Sequence, residues 1–191
     1  YVPPLYKSRL VARGDQEDPK GIRTDSPTVY VEGQNLIFGF AAASNLPVNS
    51  ADITNAYFQG QQMTRLVLMT QPQGGLPGLA SSDYLIARVP IYGTKDAGRG
   101  FWKALRKVLL EAGLVENRIL KSLYSYAENG KLLCLLGTHV DDILWVNYPQ
   151  VQHIIDKAKQ MFIWGSEETK NFRYCVKDIK TDAEGSIKIT C

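Results

Sequence analysis

The sequence predicts an α+β fold, a largely antiparallel sheet with its helices packed on one face. Three observations carry this reading. Short apolar runs rich in Leu, Ile, Val and Trp recur as strands do, and several are joined by hairpin turn signals. Two segments, Phe101–Ala112 and Gln150–Phe162, repeat their apolar residues at helical spacing. Strands and helices interleave without the even alternation that builds a doubly wound parallel sheet.

In chain order, Tyr6–Arg13 reads as a short strand carrying Lys7, Arg9 and Arg13, and the polar stretch from Gly14 to Pro27 as a loop. Asn35–Ser44 reads as a helix with Leu36, Ile37, Phe40 and Ala41 on one face, ended by Asn45-Leu46-Pro47. Val48–Ile53 is a strand with Asp52 near its end. Leu66–Thr70 and Ile86–Ile91 are further strands, separated by the Gly- and Pro-rich loop Gln71–Leu79. Phe101–Ala112 gathers Phe101, Leu105, Val108, Leu109 and Ala112 on one face, with Gly113 placed as a C′ residue. Its Lys103, Arg106 and Lys107 read first as a solvated face rather than a nucleic-acid contact. Leu123–Tyr126 is a strand, and Asn129-Gly130 marks a hairpin turn. Gln150–Phe162 turns Val151, Ile154, Ile155, Ala158 and Phe162 inward and leaves His153 on the surface. Phe172–Ile179 and Ser186–Thr190 form a last hairpin across the turn signals at Asp182–Gly185.

One stretch, Leu132–Asn147, sets two adjacent carboxylates, Asp141 and Asp142, between two apolar runs. Desolvating a carboxylate is costly unless something positive pairs with it. The pair therefore suits either a solvated turn, where Asp is common, or a cation site. Asp52 closes an earlier apolar strand. If the two strands are neighbours, three carboxylates converge. Three hard oxygen donors with no nearby His or Cys are expected to select Mg²⁺ or Mn²⁺ over zinc. Two such ions about 4 Å apart stabilise both the attacking and the leaving oxygen in phosphoryl transfer.

The whole-chain numbers bound the rest. The 191 residues are 45% hydrophobic and 21% charged, enough for one compact domain or slightly more. A net charge of +3 excludes a strongly basic nucleic-acid binder, so any basic surface is local. Cys134, Cys175 and Cys191 are odd in number and form no CxxC pair, which fits a reducing intracellular compartment. No run of about 18 apolar residues is present to span a membrane, and no signal-peptide pattern opens the chain. The chain starts at Tyr1 and stops at Cys191 inside an alternating run, so it reads as a piece of a longer polypeptide.

An ordered set of motifs then points to a family: KSRLVARG at Lys7–Gly14, DSP at Asp25–Pro27, DITNAYFQG at Asp52–Gly60, PQGGLP at Pro72–Pro77, IYGTKDAGRGFW at Ile91–Trp102 and HVDDIL at His139–Leu144. Across nearly its whole length the chain resembles the reverse transcriptase of copia-type long-terminal-repeat retrotransposons. The order of the motifs is far more specific than any one of them.

The resemblance implies the fingers and palm of a right-hand polymerase. Fingers would take about residues 1–47 and 61–90, and palm about 48–60 and 91–191. Thumb, connection and ribonuclease H segments would be absent. It implies an RNA-directed DNA polymerase with Mg²⁺ or Mn²⁺ as cofactor, Asp52 and Asp141 as metal ligands and Asp142 completing the catalytic set. It implies that Lys7 and Arg9 neutralise phosphate charge, that Ile53 and Thr54 lend backbone amides to the triphosphate, and that Tyr57 gates the sugar by excluding a ribose 2′-hydroxyl. Asp96 would lie near the incoming nucleotide. Implied partners are an RNA or DNA template with its primer, deoxynucleotides and the remaining segments of the same polyprotein. The implied locations are the cytoplasm or a virus-like particle.

Two departures stand out. His139 occupies the place of the family's aromatic before Val-Asp-Asp. The family's LKQAPRAW becomes TKDAGRGFW, which puts Asp96 in place of Gln and Gly98 in place of Pro. The added charge at Asp96 calls for neutralisation by Lys95 or Arg99. Two functions of different class follow: a template-directed DNA polymerase, or a domesticated, catalytically silent module kept as a structural subunit of a larger assembly. Without a thumb the isolated chain is expected to grip primer–template weakly, because that grip rests on phosphate contacts.

Overall fold

The computed structural model describes residues 11–182 and 184–190. Lys7, Arg9 and most of the expected first strand lie outside these residues; Val11–Arg13 are irregular. The described elements are α1 (Val31–Ser44), β1 (Asn49–Ile53), β2 (Leu68–Met69), β3 (Leu85–Ile86), α2 (Ala97–Glu111), β4 (Val115–Glu116), β5 (Leu123–Glu128), β6 (Lys131–His139), β7 (Asp142–Asn147), α3 (Gln152–Lys159), β8 (Trp164–Thr169), β9 (Asn171–Tyr174), β10 (Lys177–Thr181) and β11 (Ile187–Thr190). Six strands form one antiparallel sheet in the order β4-β5-β6-β7-β1-β8. A three-stranded sheet runs β11-β10-β9, and β2 pairs with β3.

Strand alternation splits the core in two. Along β7, Ile143 and Trp145 face one side while Leu144 and Val146 face the other. The first side packs on α2 and α3 through Phe101, Leu105, Leu109, Ile154, Ile155 and Ala158. Each such burial contributes on the order of 1.5–3 kcal/mol for the larger side chains. The second side packs on α1, through Ile37, Phe38 and Ala41, and on the small sheet, through Phe172, Tyr174 and Ile179. The expectation of helices on one face is therefore corrected. Helix α1 and a small sheet cover the other face, because β6 and β7 are apolar on both sides and neither side tolerates water.

Several boundaries move for visible reasons. Helix α1 starts earlier than its apolar run and buries Gly33, Gln34, Ile37, Phe38 and Ala41, while Leu36 is exposed. Helix α2 ends as expected: Gly113 at φ 108° lets its own amide reach Leu110 and that of Leu114 reach Leu109. On α2, Arg106 pairs with the largely buried Glu116 at 2.7 Å and lies over Trp102. The strand expected at Ile86–Ile91 shrinks to Leu85–Ile86, ahead of Pro90, which has no amide to donate. The run Phe172–Ile179 is broken into β9 and β10 by a turn at Cys175 and Val176, with φ of 46° and 62°. Strand β8 had no apolar alternation to announce it. It is a polar edge strand, with Glu167 and Glu168 exposed. Among the described residues no helix is long and apolar enough to cross a membrane.

Candidate active site

The β6–β7 hairpin closes on two residues, Val140 and Asp141, with His139 directly opposite Asp142. Val140 stands at φ 57°, a conformation that a β-branched side chain adopts only at a cost of about 1–3 kcal/mol. The next strand over is β1, and its Asp52 is the direct cross-strand partner of Asp142. The Ile53 amide donates to the Asp141 carbonyl at 2.9 Å, which makes Asp52 and Asp142 a non-hydrogen-bonded pair. Such partners have Cα atoms about 4.5 Å apart and side chains on one face. The structure thus brings Asp52, Asp141 and Asp142 to one end of a single sheet.

Two residues of β8 fix the Asp52 carboxylate. The Ser166 amide and hydroxyl both donate to its Oδ1 at 2.9 Å. Gly165 lies so close to the same carboxylate that a Cβ there would overlap it. Asp142 is half-buried. Burial raises its carboxyl above the ordinary value and Asp141 adds to the rise; His139 opposes it and Asp52 reinforces it. Crowded like charges of this kind are what a divalent cation relieves, and carboxylate oxygens are the donors that Mg²⁺ and Mn²⁺ prefer.

The other expected site residues fall as follows. Ile53 and Thr54 do not offer free amides: Ile53 donates to Asp141, and Thr54 donates to the Ile163 carbonyl at 3.0 Å. The expectation that they hold a triphosphate is corrected, because both donors are used in joining β1 to its neighbours. Tyr57 is half-buried against Tyr92, with ring centroids 4.8 Å apart. Asp96 is engaged by Arg65 through two hydrogen bonds of 2.9 and 2.7 Å, and Arg65 also pairs with Glu17. That guanidinium holds the Asp96 carboxyl below its usual range. Neutralisation therefore comes from Arg65, not from Lys95 or Arg99. Arg99 instead pairs with Asp25, and Ser26 donates to the Gly98 carbonyl at 3.1 Å, which seats the Asp-Ser-Pro motif on the start of α2. Gly165, Ser166 and Arg65 carried no signal in the sequence, since each acts on a residue far along the chain.

Residues 2–167 match the family model described as reverse transcriptase (RNA-dependent DNA polymerase). The chain belongs to this family. It is 32% identical over 162 residues to the retrovirus-related Pol polyprotein from transposon RE2 of Arabidopsis thaliana, and 33% identical over 162 residues to that from transposon RE1 of the same plant. Each match covers 82% of this chain and 11% of the relative. The retrovirus-related Pol polyprotein from transposon TNT 1-94 of Nicotiana tabacum is 28% identical over 148 residues, covering 74% of this chain and 11% of the relative. The chain thus spans about a tenth of the length of these curated relatives, whose transposons are copia-type. No solved structure gives a significant match.

Two predictions follow from the geometry. Gly165→Ala should displace the Asp52 carboxylate and weaken Mn²⁺ binding by roughly tenfold or more, as loss of an orienting neighbour does. The melting temperature should hardly change, because β8 is an edge strand; calorimetric titration with Mn²⁺ checks the first and a thermal melt the second. Unaltered Mn²⁺ affinity would show that Gly165 does not position Asp52.

The raised Asp142 value has a sign. The folded state favours the protonated carboxyl, so the stability from this preference is present at low pH and is lost as pH rises through the raised value. Asp142→Asn removes the charge. The metal-free variant should melt higher than the parent at about pH 8, and the gap should close as pH falls into the carboxylate range. Melting curves across pH test this, and a variant no more stable than the parent at about pH 8 would refute it.

Proposed function

We propose that this chain is the nucleotide-adding part of a retrotransposon Pol polyprotein, an RNA-directed DNA polymerase that works by two-metal nucleotidyl transfer. The observation that carries the proposal is the direct pairing of Asp52 with Asp142, with Asp141 at the adjoining turn. The three side chains would hold Mg²⁺ or Mn²⁺. Bound there, the ions supply the charge stabilisation that attacking and leaving oxygens need. Ser166 and Gly165 hold the Asp52 carboxylate in one fixed position on the β8 side of β1.

The substrates of this reading are deoxynucleotides on a primer annealed to RNA or DNA template. Residues 48–60 and 91–191 would form the palm, with 61–90 and the stretch before 48 as fingers. Helix α1 falls in that earlier stretch but packs on the six-stranded sheet. The reading as a silent structural module drew part of its support from the charge at Asp96. With Arg65 paired to that carboxylate, the departure no longer speaks against nucleotide binding.

Primer extension by the polyprotein that contains this chain, with Mg²⁺ present, is the test. Asp141→Asn should cut extension by at least about a hundredfold, since charge stabilisation worth several kcal/mol goes with the ligand. Extension that survives the substitution would overturn the proposal.

Tyr57 is proposed as the sugar gate, its ring held by Tyr92. Tyr57→Val should raise ribonucleotide incorporation relative to deoxynucleotide. Steady-state incorporation with matched nucleotide pairs measures this, and unchanged selectivity would remove Tyr57 from the gate.

A further inference from the structure

His139, Asp142 and Cys175 come together although they lie on different parts of the fold. His139 ends β6, Asp142 opens β7, and the two are direct cross-strand partners. Cys175 sits in the β9–β10 turn of the small sheet, which packs on the same face. One donor atom from each lies within 4.8 Å of the other two, and all three residues are half-buried. A tetrahedral ion with bonds of about 2.0–2.3 Å holds its donors roughly 3.4–3.7 Å apart. Closing on an ion therefore asks for side-chain shifts on the order of an ångström.

A second observation bears on the same place. Tyr174, adjacent to Cys175, is buried to 2% exposure, yet its hydroxyl makes no well-formed hydrogen bond. The Cys175 thiol lies close enough to meet part of its hydrogen-bonding need, and Asp142 is within electrostatic reach. Buried hydroxyls are satisfied almost without exception in native proteins, often by ordered water. Three protein donors leave the fourth position of a tetrahedral ion to water, and such a water is the kind of partner this hydroxyl lacks.

We infer that His139, Asp142 and Cys175 form a site for a borderline-soft divalent cation of the zinc class, tying the β6–β7 hairpin to the β9–β10 turn. The donor chemistry separates it from the three aspartates. Imidazole and thiolate favour zinc and cobalt, whereas a set made only of carboxylates favours Mg²⁺ or Mn²⁺. An aromatic carbocycle in place of His139 would offer no nitrogen, so the departure at this position supplies the third ligand. Asp142 belongs to both sets. Resting on the polymerase reading, occupation of the mixed site withdraws Asp142 from the catalytic carboxylates and inhibits nucleotide addition.

Cobalt is the probe, titrated into the reduced chain. One equivalent of Co²⁺ should give a thiolate-to-cobalt charge-transfer band, and Zn²⁺ should displace it and raise the melting temperature of the chain. Cys175→Ser should abolish the band. His139→Ala should weaken Co²⁺ binding by roughly tenfold or more, because a direct ligand matters at least as much as an outer-sphere one. Asp52→Asn should leave the band in place. No band in the folded parent chain would overturn the inference. So would a band that survives Cys175→Ser, because it would belong to another cysteine. The band is read without any activity, so failure of the polymerase reading leaves this test intact. On the polyprotein, Zn²⁺ should inhibit primer extension in the parent and not in Cys175→Ser; equal inhibition of both would overturn the regulatory consequence.

Discussion

The rest of the site depends on one uncomfortable contact, two carboxylates placed directly opposite each other at the end of two interior strands. Asp52 and Asp142 are partners on adjacent strands, and like charges in that relation destabilise a sheet. Burial makes the repulsion worse, because the charge of Asp142 is partly removed from water. A fold that keeps such a pair must hold it by force elsewhere. Here the force comes from β6 and β7, whose apolar residues are fully covered on both faces, and from β1, locked between β7 and β8. On the Asp52 side the charge is met by the Ser166 amide and hydroxyl, and on the Asp142 side His139 opposes the rise that burial causes.

The same face carries two turns whose backbone is at odds with their residues. Val140 and Val176 are β-branched at positive φ, and Cys175 precedes Val176 in the same conformation. Glycine or asparagine would form either turn more easily. The hairpin at Asn129-Gly130, away from the site, does use those residues. Ser122 and Lys170 adopt the same conformation elsewhere, while the two β-branched residues at positive φ are thus both in turns that border the carboxylates. Packing over-determines them: Ile143 and Leu144 follow Val140 in the core, and Tyr174 anchors the second turn. This is the pattern expected where side-chain identity at a turn matters more than its ease of folding.

How much of this the sequence revealed depended on whether the signal was local. The amphipathic faces of α2 and α3 and the apolar β6–β7 hairpin were legible, since burial writes a period into the chain. The placing of Asp52 beside Asp142 was legible as a conditional, waiting on β1 and β7 being neighbours. Strand β8 was not legible. It lies at the sheet edge with its outer residues in solvent, so no apolar alternation marks it, yet it supplies Ser166 and Gly165 to Asp52. The second covered face was missed because the small sheet and α1 meet the core through only a few side chains each. The free-amide role expected of Ile53 and Thr54 failed for a backbone reason. A residue's amide can be assigned from a motif only if the neighbouring strands leave it unpaired, and the motif does not state the pairing.

Asp96 shows how a departure from a family pattern is best weighed. Read locally, an acid in place of a neutral amide adds repulsion beside an anionic substrate. Read in the fold, the acid meets Arg65, 31 residues away, in a two-bonded pair that also reaches Glu17. Both partners are about three-quarters buried, so the pair is screened less than an exposed one and its geometry is fixed. A neutral amide at position 96 would leave the Arg65 guanidinium facing Glu17 alone. The substitution and the arginine therefore act together: the acid removes a hydrogen-bonding amide and in return ties the start of α2 to residues 17 and 65. Position 96 thus presents a closed ion network rather than a bare carboxylate.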